Sequence, residues 1–389
     1  MRLGLLAIAV FTANLGLSVI FPLVPHLAAA DPRAVGWIFS CYALTLVPAQ
    51  ILGGVLADRH EPGRILALAL WLYLATLLGF VVSRSVPSLM INRAIEGFAV
   101  GLVVPQVMKL TVNGAPPDRL GRSIGFVMGT GGLGFIVGPV LGSVLAPYGL
   151  ALPFLAAAVV AGISAVCVSL NLPDAIPSRD DTSLGALLRD EGARLVEKLR
   201  TPSFLALVLP LMALKMNFAT LQADLPVFGA QVLGAGLKAV GALFVVTAVS
   251  YGVMQPLAGR AADRLPTTTL LTGTFFVLAA LLLTLGIPHS YWLFLPLYAL
   301  FSLAQSAGIL FALKHLGAGI GEGVNGRAFG LASAIADTGM ILAPSAVMPL
   351  YAWRHEAPFW ALAAIALVAL LAFRRLGAAP RLEALNEAL

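Results

Sequence analysis

Five ionisable side chains stand inside long apolar stretches: Arg93, Glu96, Lys215, Asp224 and Asp337. Charge is expensive there and by default marks function. Arg93 and Glu96 are three residues apart, a spacing that puts both on one helix face. Gly97 and Gly101 continue that face and open space beside it. The pair reads either as an internal ion pair that fixes its helix, or as a site for proton coupling or for recognising a substrate's charge. Lys215 and Asp337 each sit near the middle of an apolar stretch, and read equally as a structural pair or a proton site. Asp224 lies farther along the stretch of Lys215, with Gln222 close by. The chemistry open to such groups is proton exchange. A carboxylate in apolar surroundings is neutralised by a proton or by a nearby cation, and an arriving ligand can tip that balance. No nucleophile–base constellation or cofactor loop accompanies them, so an enzyme is not expected. Cys41 and Cys167 fall inside apolar runs and offer neither a disulfide framework nor metal-ligand spacing. Neither a metal nor a cofactor is expected.

Neutral polar residues recur at similar depth: Asn14, Gln50, Gln106, Asn217, Gln255 and Gln305. With Phe21, Tyr42, Phe218, Tyr251, Tyr298 and Phe311 they are expected to line a mixed apolar–polar cavity for a small molecule.

The elements that must position these residues follow from composition. Of 389 residues, 59% are hydrophobic and 11% charged, with a mean hydropathy of +0.95. Soluble domains carry about 25% charged residues, so this chain must bury its apolar side chains in a bilayer. Apolar runs occur near 3–28, 34–57, 65–83, 86–110, 123–146 and 150–171, and again near 203–231, 236–258, 268–287, 291–315, 326–350 and 357–374. Each approaches or exceeds the ~20 residues needed to cross a membrane as a helix. The reading is an all-α membrane protein of twelve transmembrane helices. Ala28 to Ala30 imitates a signal-peptide cleavage site, but the run before it is too long for a signal peptide.

The net charge of +6 does not mark a nucleic-acid binder, because Lys and Arg form no basic stripe. They concentrate in the even-numbered gaps and at the termini; only Arg33, Arg84, Lys238 and Arg354 fall on the opposite side. The positive-inside rule therefore places both termini in the cytoplasm of a multi-pass protein of the inner (cytoplasmic) membrane. The long polar stretch 172–201 reads as a cytoplasmic linker. Leu184, Leu187, Leu188, Leu195 and Leu199 recur there at near-helical spacing, as in a helix lying on the membrane surface. The expected organisation is a six-helix bundle over 1–171, the linker over 172–201, a second six-helix bundle over 202–376 and a cytoplasmic tail over 377–389. Partners are a small-molecule substrate and the lipid bilayer, and a monomer is expected.

The halves repeat at a constant offset of 205 residues (259 − 54). Gly54-x-x-x-Asp58-Arg59 returns as Gly259-x-x-x-Asp263-Arg264, and Gly121-Arg122-x-x-Gly125 as Gly326-Arg327-x-x-Gly330. Gly134, Pro139 and Lys109 map onto Gly339, Pro344 and Lys314. Six spans separate the copies, which makes them parallel repeats about an axis along the membrane normal. Asp337 maps onto Gly132 and is an addition to the repeat.

Gly54-x-x-x-Asp58-Arg59, followed by Gly63-Arg64, resembles the signature of major facilitators, with two extra residues between Arg59 and Gly63. An acid at the end of one helix can accept from the exposed N–H groups of a neighbouring helix, and Gly54 would let that neighbour approach. Gly125, Gly134, Gly138, Pro139 and Gly142 have the spacing of the fifth-helix motif of drug/proton antiporters, with Ser143 in place of the last glycine. The same residues also read as a generic glycine packing face. The chain thus resembles the drug/proton antiporter branch of the major facilitator superfamily, which includes bacterial multidrug and tetracycline exporters. The resemblance implies two six-helix bundles, alternating access, and export of a small amphipathic compound driven by a proton gradient. It implies a gating contact at Gly54, Asp58, Arg59, Gly63 and Arg64 and again at Gly259, Asp263 and Arg264. It also places Arg93 where proton-coupled relatives carry an Arg. Unlike some relatives, this chain has no acid before Asp31. A uniporter or importer of a small metabolite, or an exporter of lipid or siderophore, fits the same motifs.

Overall fold

A computed structural model of the chain describes residues 2–28, 31–83, 85–114, 120–171, 202–287, 290–320 and 326–377. Every regular element among them is helical. Twelve helices are long and apolar enough to cross a membrane. In chain order they are α1 (Arg2–Val19), α2 (Pro32–Arg59), α3 (Pro62–Val82), α4 (Val86–Gly114), α5 (Leu120–Leu145) and α6 (Leu152–Asn171), then α7 (Pro202–Gln231), α8 (Leu237–Arg264), α9 (Thr267–Leu285), α10 (Tyr291–Ile320), α11 (Gly326–Val347) and α12 (Ala357–Gly377). The surface helix expected within 172–201 and the tail from 378 onward lie outside the described residues.

Local chemistry sets several boundaries. α1 stops earlier than its apolar run and gives way to a 3₁₀ turn, Phe21–Leu23, with Pro22 inside it. α2 begins at Asp31, whose carboxylate accepts from the Arg33 N–H at 3.0 Å while Pro32 occupies the first turn. The repeat is visible in the backbone: α5 and α11 both run into a 3₁₀ turn, Ala146–Tyr148 and Met348–Ala352. Many large apolar residues stay exposed, such as Leu68, Val82 and Leu170, as a lipid-facing surface requires. Trp292 and Trp353 are exposed at helix ends, where interfacial aromatics belong.

Backbone contacts divide the chain into two units. The first holds α1 to α6 together with Gly236–Ala248, the opening half of α8. Its most intimate pairs are α2 with α4 and α1 with α5. Glycine makes both possible. A Cβ at Gly97 would run into the Tyr42 carbonyl and come 2.6 Å from Thr45 Oγ1, and one at Gly101 would come 2.6 Å from both Ala49 Cβ and the Leu46 carbonyl. Thr45 Oγ1 donates to the Ala94 carbonyl at 2.6 Å and Gln106 Nε2 to the Gly53 carbonyl at 2.7 Å, tying the closely spaced backbones together. On α5, Gly134, Gly138 and Gly142 lie against the backbone of α1. Asn14 Nδ2 donates to the Gly131 carbonyl at 3.0 Å, and Ser18 Oγ to that of Gly134 at 3.2 Å. Ser143, the departure from the glycine spacing, is met by another glycine. A Cβ at Gly241 would collide with its side chain.

The second unit holds α7, the rest of α8 and α9 to α12. α7 is its hub, packed by α10, α11 and α12. Gly339 of α11 lies against Met212 and Met216 of α7. Phe228, Phe294 and Phe359 bring α7, α10 and α12 into one aromatic cluster, with ring centroids 4.9 to 6.5 Å apart. The halves differ at one telling place. Gly97 and Gly101 map onto Ser302 and Ser306, and α8 meets α10 through longer side chains, Gln255 to Ser306 Oγ at 3.2 Å and Lys314 to the Ala262 carbonyl at 2.6 Å.

Gly97→Ala is expected to destabilise the protein by about 1–3 kcal/mol, the usual cost of forcing a methyl into a filled interior. The nearest obstruction, the Tyr42 carbonyl, is backbone and cannot rotate away. Gly162→Ala, where the nearest atom would be 3.8 Å off, is the control. Thermal unfolding in detergent should separate the two variants; equal midpoints would contradict the packing.

Candidate functional site

Two ion pairs form from the charges singled out in the sequence, one in each unit. In the first, Arg93 pairs with Glu96 within α4, and both are fully buried. The guanidinium also lies 4.9 Å from the Tyr42 ring centroid and 5.6 Å from that of Phe39, both on α2, a cation–π arrangement. The pair is not fully satisfied: Arg93 Nε and Glu96 Oε1 have no hydrogen-bond partner among the described residues. Around it, Asn92 Nδ2 donates to the Thr76 carbonyl at 2.8 Å and the Tyr73 hydroxyl to the Ala13 carbonyl at 2.8 Å. Helices α1, α3 and α4 are thereby joined near the pair. Nothing in the spacing of Tyr73 or Thr45 singled them out, because a helical polar residue that bonds a neighbour's carbonyl leaves no periodic trace.

In the second unit, Lys215 of α7 pairs with Asp337 of α11. The side chains are 19% and 11% exposed, so this pair is partly open to its surroundings where Arg93–Glu96 is sealed. It ties two helices and is not confined to one. Asp224 differs from both. It is fully buried on α7, and neither carboxylate oxygen has a hydrogen-bond partner among the described residues.

The expected cavity residues divide by what they touch. Asn14, Gln106 and Gln305 spend their amide N–H on helix backbones; that of Gln305 goes to the Leu214 carbonyl at 2.7 Å. Gln255 bonds Ser306. Phe21 lies between Phe39 and Phe244, at 5.4 and 5.7 Å. Tyr298 stacks along Phe294 and Phe301, and Phe311 is buried. Phe218 and Tyr251 meet edge to face at 6.1 Å and are half-buried, as is Gln50. The Asn217 amide and the Tyr251 hydroxyl are buried without hydrogen-bond partners among the described residues, which leaves these groups unspent for hydrogen bonding.

At the signature loops, the side chain of Asp58 and the surroundings of Gly125 lie outside the described residues. A Cβ on Gly54 or Gly259 would meet open space. The close approach expected at Gly54 is made at its neighbour Gly53, where a Cβ would come 3.2 Å from Pro105 Cγ. Arg59 is partly buried, with two guanidinium nitrogens lacking a hydrogen-bond partner among the described residues. Gly63 is buried in the first turn of α3. The extra residues before it explain Arg64: Glu61, which precedes α3, pairs with Arg64 three residues on. In the second copy Asp263 pairs with Lys314 at 2.8 Å, while Arg264 ends α8. The repeat of Lys109 as Lys314 was the sequence signal for that partner.

Removing one member of a buried pair strands the other, a loss of about 3–5 kcal/mol. Arg93→Met should cost that much in thermal stability, and adding Glu96→Gln should restore most of it. If Arg93→Met is as stable as the parent, the pair does not hold α4.

Over residues 6–247 and 230–388 the sequence matches the Major Facilitator Superfamily. The quinolone resistance protein NorA of Staphylococcus aureus is 28% identical over 169 residues, 42% of each chain. Multidrug resistance protein 1 of Bacillus subtilis is 26% identical over 176 residues, 44% of each. The chain thus spans less than half the length of these curated relatives. Among solved structures, the nucleoside transporter NupG superposes with a TM-score of 0.78 at 15% identity, covering 96% of this chain and 98% of that one. A bacterial homologue of the human lysosomal transporter Spinster does so at 0.74 and 14%, covering 96% and 95%. These likenesses are of fold, and the sequence match that runs through both halves makes the chain a member of the Major Facilitator Superfamily of membrane transporters.

Proposed function

We propose that this chain is a secondary active transporter that exports a small amphipathic compound by alternating access in exchange for protons. The observation that carries the reading is the Lys215–Asp337 pair, half-sheltered between two helices of one unit. The charge of Asp337 can be dealt with in two ways, balanced by the ammonium or removed by a proton. Protonation cancels the attraction between α7 and α11 and leaves Lys215 to water or to a ligand. A pH gradient of one unit supplies about 1.4 kcal/mol per proton, a useful fraction of the few kcal/mol that separate alternative conformations. The energy source is then the proton gradient, with no cofactor. The unspent Asn217 amide and the Phe218 ring lie within three residues of Lys215 on α7, Tyr251 meets Phe218, and these groups suit a ligand with an aromatic face and few polar groups. Relatives named for quinolone and multidrug resistance support export of drug-like compounds. The signature loops gate the cytoplasmic side, with Lys314 holding Asp263 in the second copy. The protein works as a monomer in the cytoplasmic membrane with both termini inside.

Proteoliposomes with an imposed pH gradient test the reading, with ethidium as the amphipathic probe. The wild type should move ethidium against its own gradient, and Asp337→Asn should lose at least about tenfold of the gradient-driven rate, the equivalent of ~1.4 kcal/mol. Flux that is the same with and without the pH gradient would make the protein a uniporter and overturn the proposal.

A further inference from the structure

Asn217 and Thr220 of α7 are three residues apart, and so are Ser302 and Gln305 of α10. Each pair therefore shares one helix face. All four are buried, none more than 2% exposed. Both amide atoms of Asn217, the hydroxyls of Thr220 and Ser302, and Gln305 Oε1 have no hydrogen-bond partner among the described residues. Buried polar atoms are as a rule bonded to protein or to ordered water. Five unbonded atoms on two facing helices call for a common partner.

Packing brings the two polar faces together. At one end Gln305 Nε2 donates to the Leu214 carbonyl at 2.7 Å, and a Cβ on Gly308 would come 3.0 Å from Leu214 Cδ2. At the other end Phe228 meets Phe294 at 5.6 Å. α7 and α10 thus run antiparallel, and between these contacts Asn217 and Thr220 come level with Ser302 and Gln305. The polar face is an addition to the repeat. At the offset of 205 residues (259 − 54), Thr220, Ser302 and Gln305 map onto Leu15, Gly97 and Val100, and Asn217 maps onto Thr12. The chemistry of the cluster selects its ligand. None of the four side chains is charged, so nothing among them balances an ion. Asn217 Nδ2 donates, its Oδ1 and Gln305 Oε1 accept, and the two hydroxyls do either. The ligand must both donate and accept, and the sealed seam requires it to be small. Asp224 stands one turn beyond Thr220 and is not needed for it.

We propose that the seam between α7 and α10 is a binding site for ordered water, bridging the two helices at Asn217, Thr220, Ser302 and Gln305. A buried water makes ~3 hydrogen bonds, so the five atoms hold about two molecules. In the first unit Thr45 bonds the Ala94 carbonyl directly and fixes α2 on α4. Here the helices are joined through a molecule that exchanges partners. A water bridge is nearly as favourable as a direct bond, so α7 and α10 can shift without losing their hydrogen bonds. The site does not depend on the antiport reading above. The two meet at one group, since a ligand that reaches the Asn217 amide displaces water.

Radiolytic footprinting of the purified protein tests the site without any substrate. A hydroxyl radical made from a bound water oxidises the side chain beside it. Leu214, buried against Gln305 and Gly308, should be oxidised in the wild type. Leu15 and Val100, the buried first-unit counterparts of Thr220 and Gln305, should not be. On mixing with ¹⁸O water, the heavy oxygen should enter Leu214 later than the exposed Trp353, because bound water exchanges slowly. The variant Asn217→Leu/Thr220→Val/Ser302→Ala should lose the oxidation of Leu214. Its apolar replacements are close in shape, a kind of change that is often nearly neutral for stability. An unoxidised Leu214, oxidation as strong at Leu15 and Val100, ¹⁸O entry at the pace of Trp353, or unchanged oxidation in the variant would each overturn the proposal. The wild-type labelling decides even if the variant fails to fold. Absence of gradient-driven flux in the wild type would remove the antiport reading while leaving the labelling to judge the seam.

Discussion

A charge taken out of water must be cancelled inside the protein, and the arrangement of this chain follows from how each buried charge is cancelled. Arg93 and Glu96 cancel one another within a single helix, sealed from water and covered by aromatic rings of α2. Such a pair is costly to break and is suited to holding a bundle together. Lys215 and Asp337 cancel one another between two helices, with side chains left partly exposed. That pair can open without the rest of the unit unfolding. Asp224 is fully buried, and its carboxylate has no hydrogen-bond partner among the described residues. Of the two pairs, the second is the one whose geometry leaves room for a proton to come and go.

The second constraint is distance between backbones. Glycine on α4 and α5 lets α2 and α1 come close enough for Thr45, Gln106, Asn14 and Ser18 to donate directly to carbonyls of the neighbouring helix. In lipid no hydrophobic driving force separates one apolar helix surface from another, so close packing and such bonds must hold the helices together. The second half has lost part of this glycine face. Ser302 and Ser306 stand where Gly97 and Gly101 would be, and α8 is held to α10 by Gln255 and Lys314. The repeat thus conserves topology while the two halves differ in how their second and fourth helices are joined.

Much of this was legible before any coordinates. Twelve spans follow from apolar run length, since a bilayer enforces a minimum that chance seldom meets twelve times. The pairing of Arg93 with Glu96 follows from helical spacing, and that of Lys215 with Asp337 from the need of each for an opposite charge. Other features were not legible. Asn14, Gln106 and Gln305 look the same in a sequence whether they line a cavity or bridge two backbones, because both roles put an amide at mid-membrane depth. The isolation of Asp224 depends on which faces of α10, α11 and α12 turn towards it. The local Glu61–Arg64 pair was hidden in what looked like an interruption of a signature.

The central claim is that Lys215 and Asp337 couple proton movement to transport and do more than bind α7 to α11. The most direct measurement compares the wild type with the doubly neutralised variant Lys215→Met/Asp337→Asn. Replacing both members of an ion pair usually leaves stability little changed, so the variant should unfold near the wild-type midpoint. The account predicts that it still passes ethidium down its own gradient but no longer accumulates it when a pH gradient is imposed. A stable double variant that still drives ethidium uphill at the wild-type rate would contradict the account.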